Sequence, residues 1–325
     1  MVFRFVVAIG AGCAAALLFA VSALTSPLAM ALAYLAPLPI MIATLGWGLD
    51  AGAVAAAVSV VALGLLAEPA SGLMFAASVA LPAWALAAVA VAPFGRYFAR
   101  GSDPTSRASV GSIVALAAVI GMLGAAAALT ALIVVYGGYA NGVGKVSEVL
   151  AALVGDAFEG GPESLSAREF AQSLVRFGPA AIAASTMLML CVNLYAAARS
   201  TQLSRRLGRA WPDLPTSLSL PWPLGVLLLA CAAGAYALPA PASQYVSIAV
   251  GGVGCAFVLQ GLAVAHALSR GLKMRPVMLV ALYACCVLRA QYILPVVAAL
   301  GVVDAFARLR ARPAFLPAPK PTTHK

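Results

Sequence analysis

Residues 5–49 contain no charged side chain, and neither do residues 69–95, 108–144, 177–198 or 214–269. Uncharged apolar runs of this length fold in few ways. A membrane-crossing helix needs roughly 20 mainly apolar residues, because lipid offers backbone N–H and C=O groups no partner outside the segment. Composition removes the soluble alternative. The chain is 63% hydrophobic and 9% charged, whereas a soluble domain carries about 25% charged residues. There is too little polar surface to cover a hydrated globule, and too much apolar surface for a disordered chain. A transmembrane β-barrel would show strand-length segments alternating apolar and polar residues. These runs are instead continuous in Ala, Leu and Val. The expected fold class is therefore all-α: a polytopic transmembrane helical bundle.

Breakers divide the runs into spans near 4–24, 28–45, 49–67, 72–94, 110–135, 173–198, 221–239 and 244–268. Ser26-Pro27, Gly46-Trp47-Gly48, Glu68-Pro69 and the turn 238–241 mark four of the boundaries. Residues 276–307 are long for one helix and short for two. Arg289 and Gln291 fall in their middle and Pro295 follows. An Arg at the bilayer centre costs at least ~2.5–3.5 kcal/mol, so a hairpin turning at Arg289 is favoured over one kinked helix. The count is ten crossings in the hairpin version and nine in the other. Residues 1–312 then form a single integral membrane domain, and the Pro-rich tail 313–325 is expected to be disordered.

Charge placement orients the weave. Segments 95–109, 199–220 and 269–275 are basic, whereas 136–172 carries Glu148, Asp156, Glu159, Glu163 and Glu169 against Lys145 and Arg168. Lys and Arg mark the cytoplasmic side. With eight spans before residue 269, every basic connection falls on one face, together with Arg4 at the amino terminus. The tail with Arg308, Arg310 and Arg312 belongs on the same face if residues 276–307 cross twice. The expected setting is a bacterial inner membrane with both termini cytoplasmic. Arg4 followed by an apolar run resembles a signal peptide, but the run outlasts a signal h-region, so an uncleaved first helix is expected.

The long connection 136–172 is expected to be an external amphipathic helix. Val146, Val149, Leu150, Leu153, Val154 and Phe158 recur at three- and four-residue spacing. Gly160-Gly161-Pro162 ends it, and Ser166 with Glu169 reads as a capping box opening the next helix. Gly178-Pro179 is expected to kink that helix. The segment serves as a packing cap or as a lid over an outward cavity.

Little in the sequence announces chemistry. The two histidines, His266 and His324, are far apart, so no metal site is expected. Six cysteines lie in apolar helices without a Cys-x-x-Cys pair and read as small core residues. The glycine-rich stretches lack a P-loop Lys, no cofactor is expected, and no acid–base cluster suggests an enzyme. Polar groups inside the membrane are the site candidates, because lipid makes them costly: Asn193, Gln260, His266 and Arg289, then Gln291, with Asp50, Glu68 and Asp304 near helix ends. Each reads more readily as an interhelical hydrogen bond or a snorkelling side chain than as a ligand contact. Gly48/Gly52, Ala51/Ala55 and Gly121/Ala125 are small-xxx-small pairs suited to close helix approach. The basic loops lack interleaved aromatics, so anionic lipid headgroups, rather than nucleic acid, are their expected partners.

Two stretches carry a family resemblance. One is Leu35-Ala36-Pro37-Leu38-Pro39-Ile40, followed by Leu45-Gly46-Trp47-Gly48. The other is Leu259-Gln260-Gly261-Leu262-Ala263-Val264-Ala265-His266, followed by Leu300-Gly301-Val302-Val303-Asp304 and a basic cluster. Together they resemble the YybS-like family of predicted bacterial membrane proteins (DUF2232). Where the family usually has an aromatic-Arg pair after the Asp, this chain reads Ala305-Phe306-Ala307-Arg308. The family is distantly similar to the substrate-binding membrane subunits of energy-coupling-factor transporters. That similarity implies a small-molecule-binding bundle served by separate protein subunits, and supplies no ligand residues. The function expected is transporter-like or small-molecule-binding. The alternative is a scaffold or assembly factor that contacts lipids or proteins through its basic loops.

Overall fold

The structure is a computed structural model describing residues 2–24, 26–91, 108–155, 165–207 and 211–311. These residues are helical, with no strand among them, and form the all-α bundle expected. Eight helical stretches are long and apolar enough to cross a membrane, and two shorter apolar helices, Trp222–Ala237 and Arg275–Leu288, complete the path. The basic segment 95–107, the break at Gly160-Gly161-Pro162, Phe158, and the tail 313–325 with His324 fall outside the described residues.

Proline sets much of the local structure. Helix α1 (Val2–Ala20) is followed by α2 (Pro27–Ala33), a short helix whose N-cap Ser26 accepts a bond from Ala29 N–H at 3.1 Å. The second span then breaks over residues 34–36 and resumes as α3 (Pro37–Trp47). Pro37 and Pro39 lack the N–H groups that would continue the ladder. Leu38 N–H donates to Leu35 O rather than one residue further back, so the carbonyl of Tyr34 is freed. After α4 (Leu49–Leu66), the fourth span runs through α5 (Pro69–Phe75), one π turn (Ala76–Ala80) and α6 (Leu81–Val91). Pro82 has no N–H for the carbonyl of Ser78, and the wider π turn is how the helix re-pairs around that gap.

Helix α7 (Val110–Val135), capped by Ser109, leads into α8 (Tyr139–Val154) and the long α9 (Leu165–Leu203). Helix α8 divides the periodic apolar residues between an inward and an outward side. Val146, Leu150 and Val154 turn inward with Gly142 and Ala151, whereas Val149 and Leu153 are exposed. Helix α9 already includes Leu165, so Ser166 sits in its first turn rather than at its cap, and the helix continues through Pro179 without interruption. The chain ends in α10 (Leu214–Ser217), α11 (Trp222–Ala237), α12 (Ala242–Leu268), α13 (Arg275–Leu288) and α14 (Ala290–Ala307).

Contacts at the helix ends show how the path weaves. Arg206, just past α9, lies over the rings of Trp47 at 4.6 Å and Phe3 at 5.9 Å. Asp213 pairs with Arg270, and Arg310 donates to the carbonyls of Pro215 and Leu218. The start of α1, the end of α3, Arg206 and the segments around 211–218, 270 and 310 therefore share one end of the bundle, the basic end. At the opposite end the Thr130 and Tyr245 hydroxyls meet at 2.7 Å, next to α8. A chain that leaves the basic end at Arg270 and returns to it at Arg310 must turn between, and the turn is Arg289, with φ −136° and ψ 41°. The hairpin reading of 276–307 thus holds. It is an open hairpin, because α13 has no buried residue. Arg289 is exposed on the flank rather than buried against the bundle, where a long cationic side chain reaches the interface by snorkelling.

Small residues sit where helices cross. A Cβ on Gly121 would meet the backbone of Ala183, Gly52 faces Thr44 and Trp84, and Ala55 and Ala125 are buried. Lipid supplies no hydrophobic push between helices, so close van der Waals contact has to hold them. Gly48 is an exception to the expected pairing with Gly52. It forms the α3–α4 turn at φ +105°, a conformation that suits glycine, and lies on no helix face. The cysteines are less buried than expected. Cys13 and Cys285 face outward and the other four are half-buried.

Candidate functional site: a roofed cavity at the basic end

Two of the four polar candidates, Asn193 and Gln260, are placed by the fold at joints between helices, while His266 lines a cavity and Arg289 is exposed. Asn193, 2% exposed on α9, donates from Nδ2 to Tyr34 O at 2.8 Å and to Met189 O at 2.8 Å. It supplies the donor that the Pro37/Pro39 break took away, tying the broken second span to the longest helix. Its own Oδ1 is buried with no partner among the described residues. Asn193→Ala is expected to lower stability by about 1–3 kcal/mol by leaving a buried carbonyl unpaired. Asn193→Asp should cost more, because it sets an acceptor against an acceptor. Thermal unfolding of the detergent-solubilised chain measures both.

Gln260 lies at the centre of a buried polar network. It is fully buried on α12, accepts from Leu220 N–H at 2.7 Å, and donates from Nε2 to Gly301 O at 3.1 Å and to Asp304 Oδ2 at 2.9 Å. Asp304 ends α14 and is 4% exposed. Its Oδ2 also accepts from Arg310 Nη2 at 2.7 Å and Nε at 3.1 Å. The remaining Arg310 donors bind Pro215 O at 2.7 Å and Leu218 O at 2.6 Å. A buried ion pair is tolerable when every remaining donor and lone pair is used, and this one nearly meets that condition. Arg310 was legible in the sequence only as one arginine of a basic tail. The usable signal was an Asp in an apolar helix followed six residues later by an Arg, in a chain with only ten acids.

The network holds down a roof. Segment 211–218, containing α10, closes a cavity of about 440 Å³ between α7, α9, α12 and α13. Pro215 and Leu218, whose carbonyls Arg310 binds, are among its lining residues, with Trp211, Pro212 and Leu214. Ile113 and Val114 form the α7 wall, and Leu259, Leu262 and Ala263 the α12 wall. The polar lining is sparse: His266 at the end of α12, Tyr283 on α13, Tyr195 and Cys191. His266 Nδ1 lies 2.9 Å from Leu262 O, and Tyr283 OH lies 3.4 Å from His266 Nε2 with the rings edge to face. Helix α8 lies at the opposite end of the bundle, so the lid role considered for 136–172 does not apply to this cavity.

A second tie crosses the roof on its exposed side. Arg270 Nη2 reaches both oxygens of Asp213 at 2.8 Å, and the Thr216 hydroxyl donates to Asp213 Oδ2 at 2.8 Å. The Arg270 bond first, and the Thr216 bond second, hold the Asp213 carboxyl below the usual carboxylate range. A carboxyl lowered in the folded state adds stability above its unfolded pKa of about 3.9, and that stability disappears as pH falls through the folded value. Both partners are about half exposed, so the contribution should stay within about 1 kcal/mol. On acidification from about pH 5 to pH 3, the wild-type melting temperature is expected to fall more than that of Asp213→Asn.

The other candidates are not gathered here. Asp50, in the first turn of α4, and Glu68, just beyond its last turn, are exposed about 27 Å apart along that helix. Gln291 is exposed. Among the described residues no three His, Cys, Asp or Glu side chains come together to hold a metal ion.

The second of the two stretches that carry the family resemblance gathers at one location. Gln260-Gly261 and Gly301 to Asp304 lie in separate sequence motifs, yet they form one contact between α12 and α14. The sequence model of a family described as predicted membrane protein (DUF2232) matches residues 13–305. The chain belongs to this family. Within this DUF2232 chain the match spans Asn193, Gln260, His266 and Asp304, and it ends five residues before Arg310. No curated protein and no solved structure matches the chain.

Proposed function

We propose that this protein is a transporter-like membrane bundle that binds a small molecule in the roofed cavity, with the basic end facing the cytoplasm of a bacterial inner membrane. The observation that carries this reading is the cavity. Its size falls in the range of about 300–1,000 Å³ typical of small-molecule sites, and its apolar walls with a few convergent polar groups match their chemistry. The basic end as the cytoplasmic end follows from arginine placement, and its arginines would also meet anionic headgroups there. The sparse acid–base groups favour a binding role over an enzyme. The family's similarity to energy-coupling-factor subunits adds the expectation of separate protein subunits.

A thermal-shift screen of the detergent-solubilised chain against vitamins and metabolites tests the reading. A ligand present at 100 times its Kd should stabilise the folded state by about 2.7 kcal/mol, and Ala263→Phe, which fills the cavity, should abolish the shift. No stabilisation by any compound would overturn it. A scaffold role has one observation in its favour, the apolar α13 that buries none of its residues. Crosslinked membranes yielding a constant protein partner, without ATPase subunits, would favour that role.

A further inference from the structure

The position of the cavity's mouth and the chemistry of its polar end say what kind of molecule fits. Leu188, Val192 and Tyr195 line the cavity from α9, yet they are 42%, 52% and 45% exposed. Tyr283, across from them on α13, is 44% exposed. Side chains that are both lining and exposed mark the rim, so the mouth lies on the flank between α9 and α13. Helix α9 is long and apolar enough to cross a membrane and α13 is a shorter apolar helix, so lipid is the expected cover for the flank between them. The mouth lies in the half of the bundle nearer the basic end, because His266 is three residues from Ser269, where α12 ends.

The polar end has a defined hydrogen-bonding sense. The Leu262 carbonyl 2.9 Å from His266 Nδ1 can only accept, so Nδ1 carries the hydrogen. In the neutral ring Nε2 is then an acceptor facing the cavity rim. Its partner is the Tyr283 hydroxyl at 3.4 Å, a long contact that a better-placed donor would displace. Among the described residues no Lys or Arg lines the cavity, and Arg270, the nearest arginine in sequence to His266, is occupied by Asp213. Among the described residues the site offers no Lys or Arg to neutralise an anionic head, whereas His266 Nε2 offers an acceptor to a hydroxyl.

We propose that the cavity takes a lipid-type amphiphile from the leaflet at the basic end, with its apolar chain against Val192 and Leu259 and its uncharged hydroxyl head donating to His266 Nε2. This rests on the cavity being a ligand site. At roughly 30 Å³ for a water-sized group, about 440 Å³ holds on the order of fifteen such groups, the size of one chain and a small head.

The full chain in phosphatidylcholine vesicles, doped with a diazirine-bearing long-chain alcohol, tests the proposal by photolabelling and peptide mapping. A diazirine-bearing fatty acid of equal length is the comparison probe. The alcohol is expected to label the peptides of Val192 and Leu259 at least tenfold above the acid, with unlabelled alcohol competing. Val192→Trp, which fills the rim from an exposed position that folding does not depend on, should remove that labelling. His266→Phe should bring alcohol and acid to the same level. Labelling spread evenly over the flanks, or unchanged in Val192→Trp, overturns the proposal. If metabolites from the water-soluble screen stabilise the chain while the alcohol labels no preferred site, the amphiphile fails and the binding cavity stands. If neither probe set binds, both fail.

Discussion

Arg310→Ala is expected to lower stability by about 3–5 kcal/mol, the range for breaking a buried ion pair from one side. The loss follows from what remains. Asp304, 4% exposed, would keep only the Gln260 amide as a side-chain donor, and the carbonyls of Pro215 and Leu218 would lose theirs. A surface arginine of the same basic end, such as Arg199, should cost little when replaced. Arg310→Met combined with Asp304→Leu should be less destabilised than the two single changes summed, by about 0.5–3 kcal/mol, because no orphan charge survives. Unfolding in detergent measures the energies. Limited proteolysis gives a second readout, since cleavage within 211–220 should accelerate if Arg310 holds the roof. Unchanged cleavage there would separate the ion pair from the roof.

Gly261→Ala is expected to be among the most damaging single methyls in the bundle, at or above about 3 kcal/mol, the upper end for overpacking. A Cβ at Gly261 would collide with the carbonyl oxygen of Val297, and Gly301 meets the backbone of Phe257 and Gly261 in the same crossing. The obstacle is backbone on both sides, so no side chain can swing away. Gly124→Ala on α7 is the matched control. A Cβ there meets nothing within 4 Å, and stability should be unchanged or slightly raised by helix propensity. Equal effects from the two substitutions would show that the α12–α14 contact does not depend on close approach. The Gly261 contact and the Arg310 pair act on the same joint. Close packing of α12 on α14 brings Gln260 within reach of Asp304.

Much of this was written in the sequence because lipid is a demanding solvent. Backbone groups with no water must pair within their own helix, so charge-free runs gave the spans to within a few residues, except the sixth, read as 173–198, whose helix runs Leu165–Leu203 and extends past both ends of the charge-free run. Charge cost put the turn of 276–307 at Arg289, and proline placed the break in the second span. Val149 and Leu153 of α8 obey the same periodicity as their inward neighbours, so period alone does not say which of them the bundle buries. Near a membrane, an outward apolar residue carries no penalty that would betray it. The cysteines were assigned to the core for a similar reason, since an apolar residue facing lipid is as comfortable as one facing a helix.

What the sequence determined alone is the set of helices, their ends and the side on which the arginines collect, because these depend on one residue's transfer between water and lipid. What only the tertiary structure decided is pairing: that Asn193 serves the carbonyl freed at Tyr34, that Gln260 and Asp304 meet Arg310, and that the roof closes over a cavity walled by four helices. A polar side chain in an apolar run announces that it needs a partner. Which partner it finds is fixed by the approach of helices far apart in the chain, and close packing of Ala- and Gly-rich surfaces leaves almost no trace of that approach in composition or period.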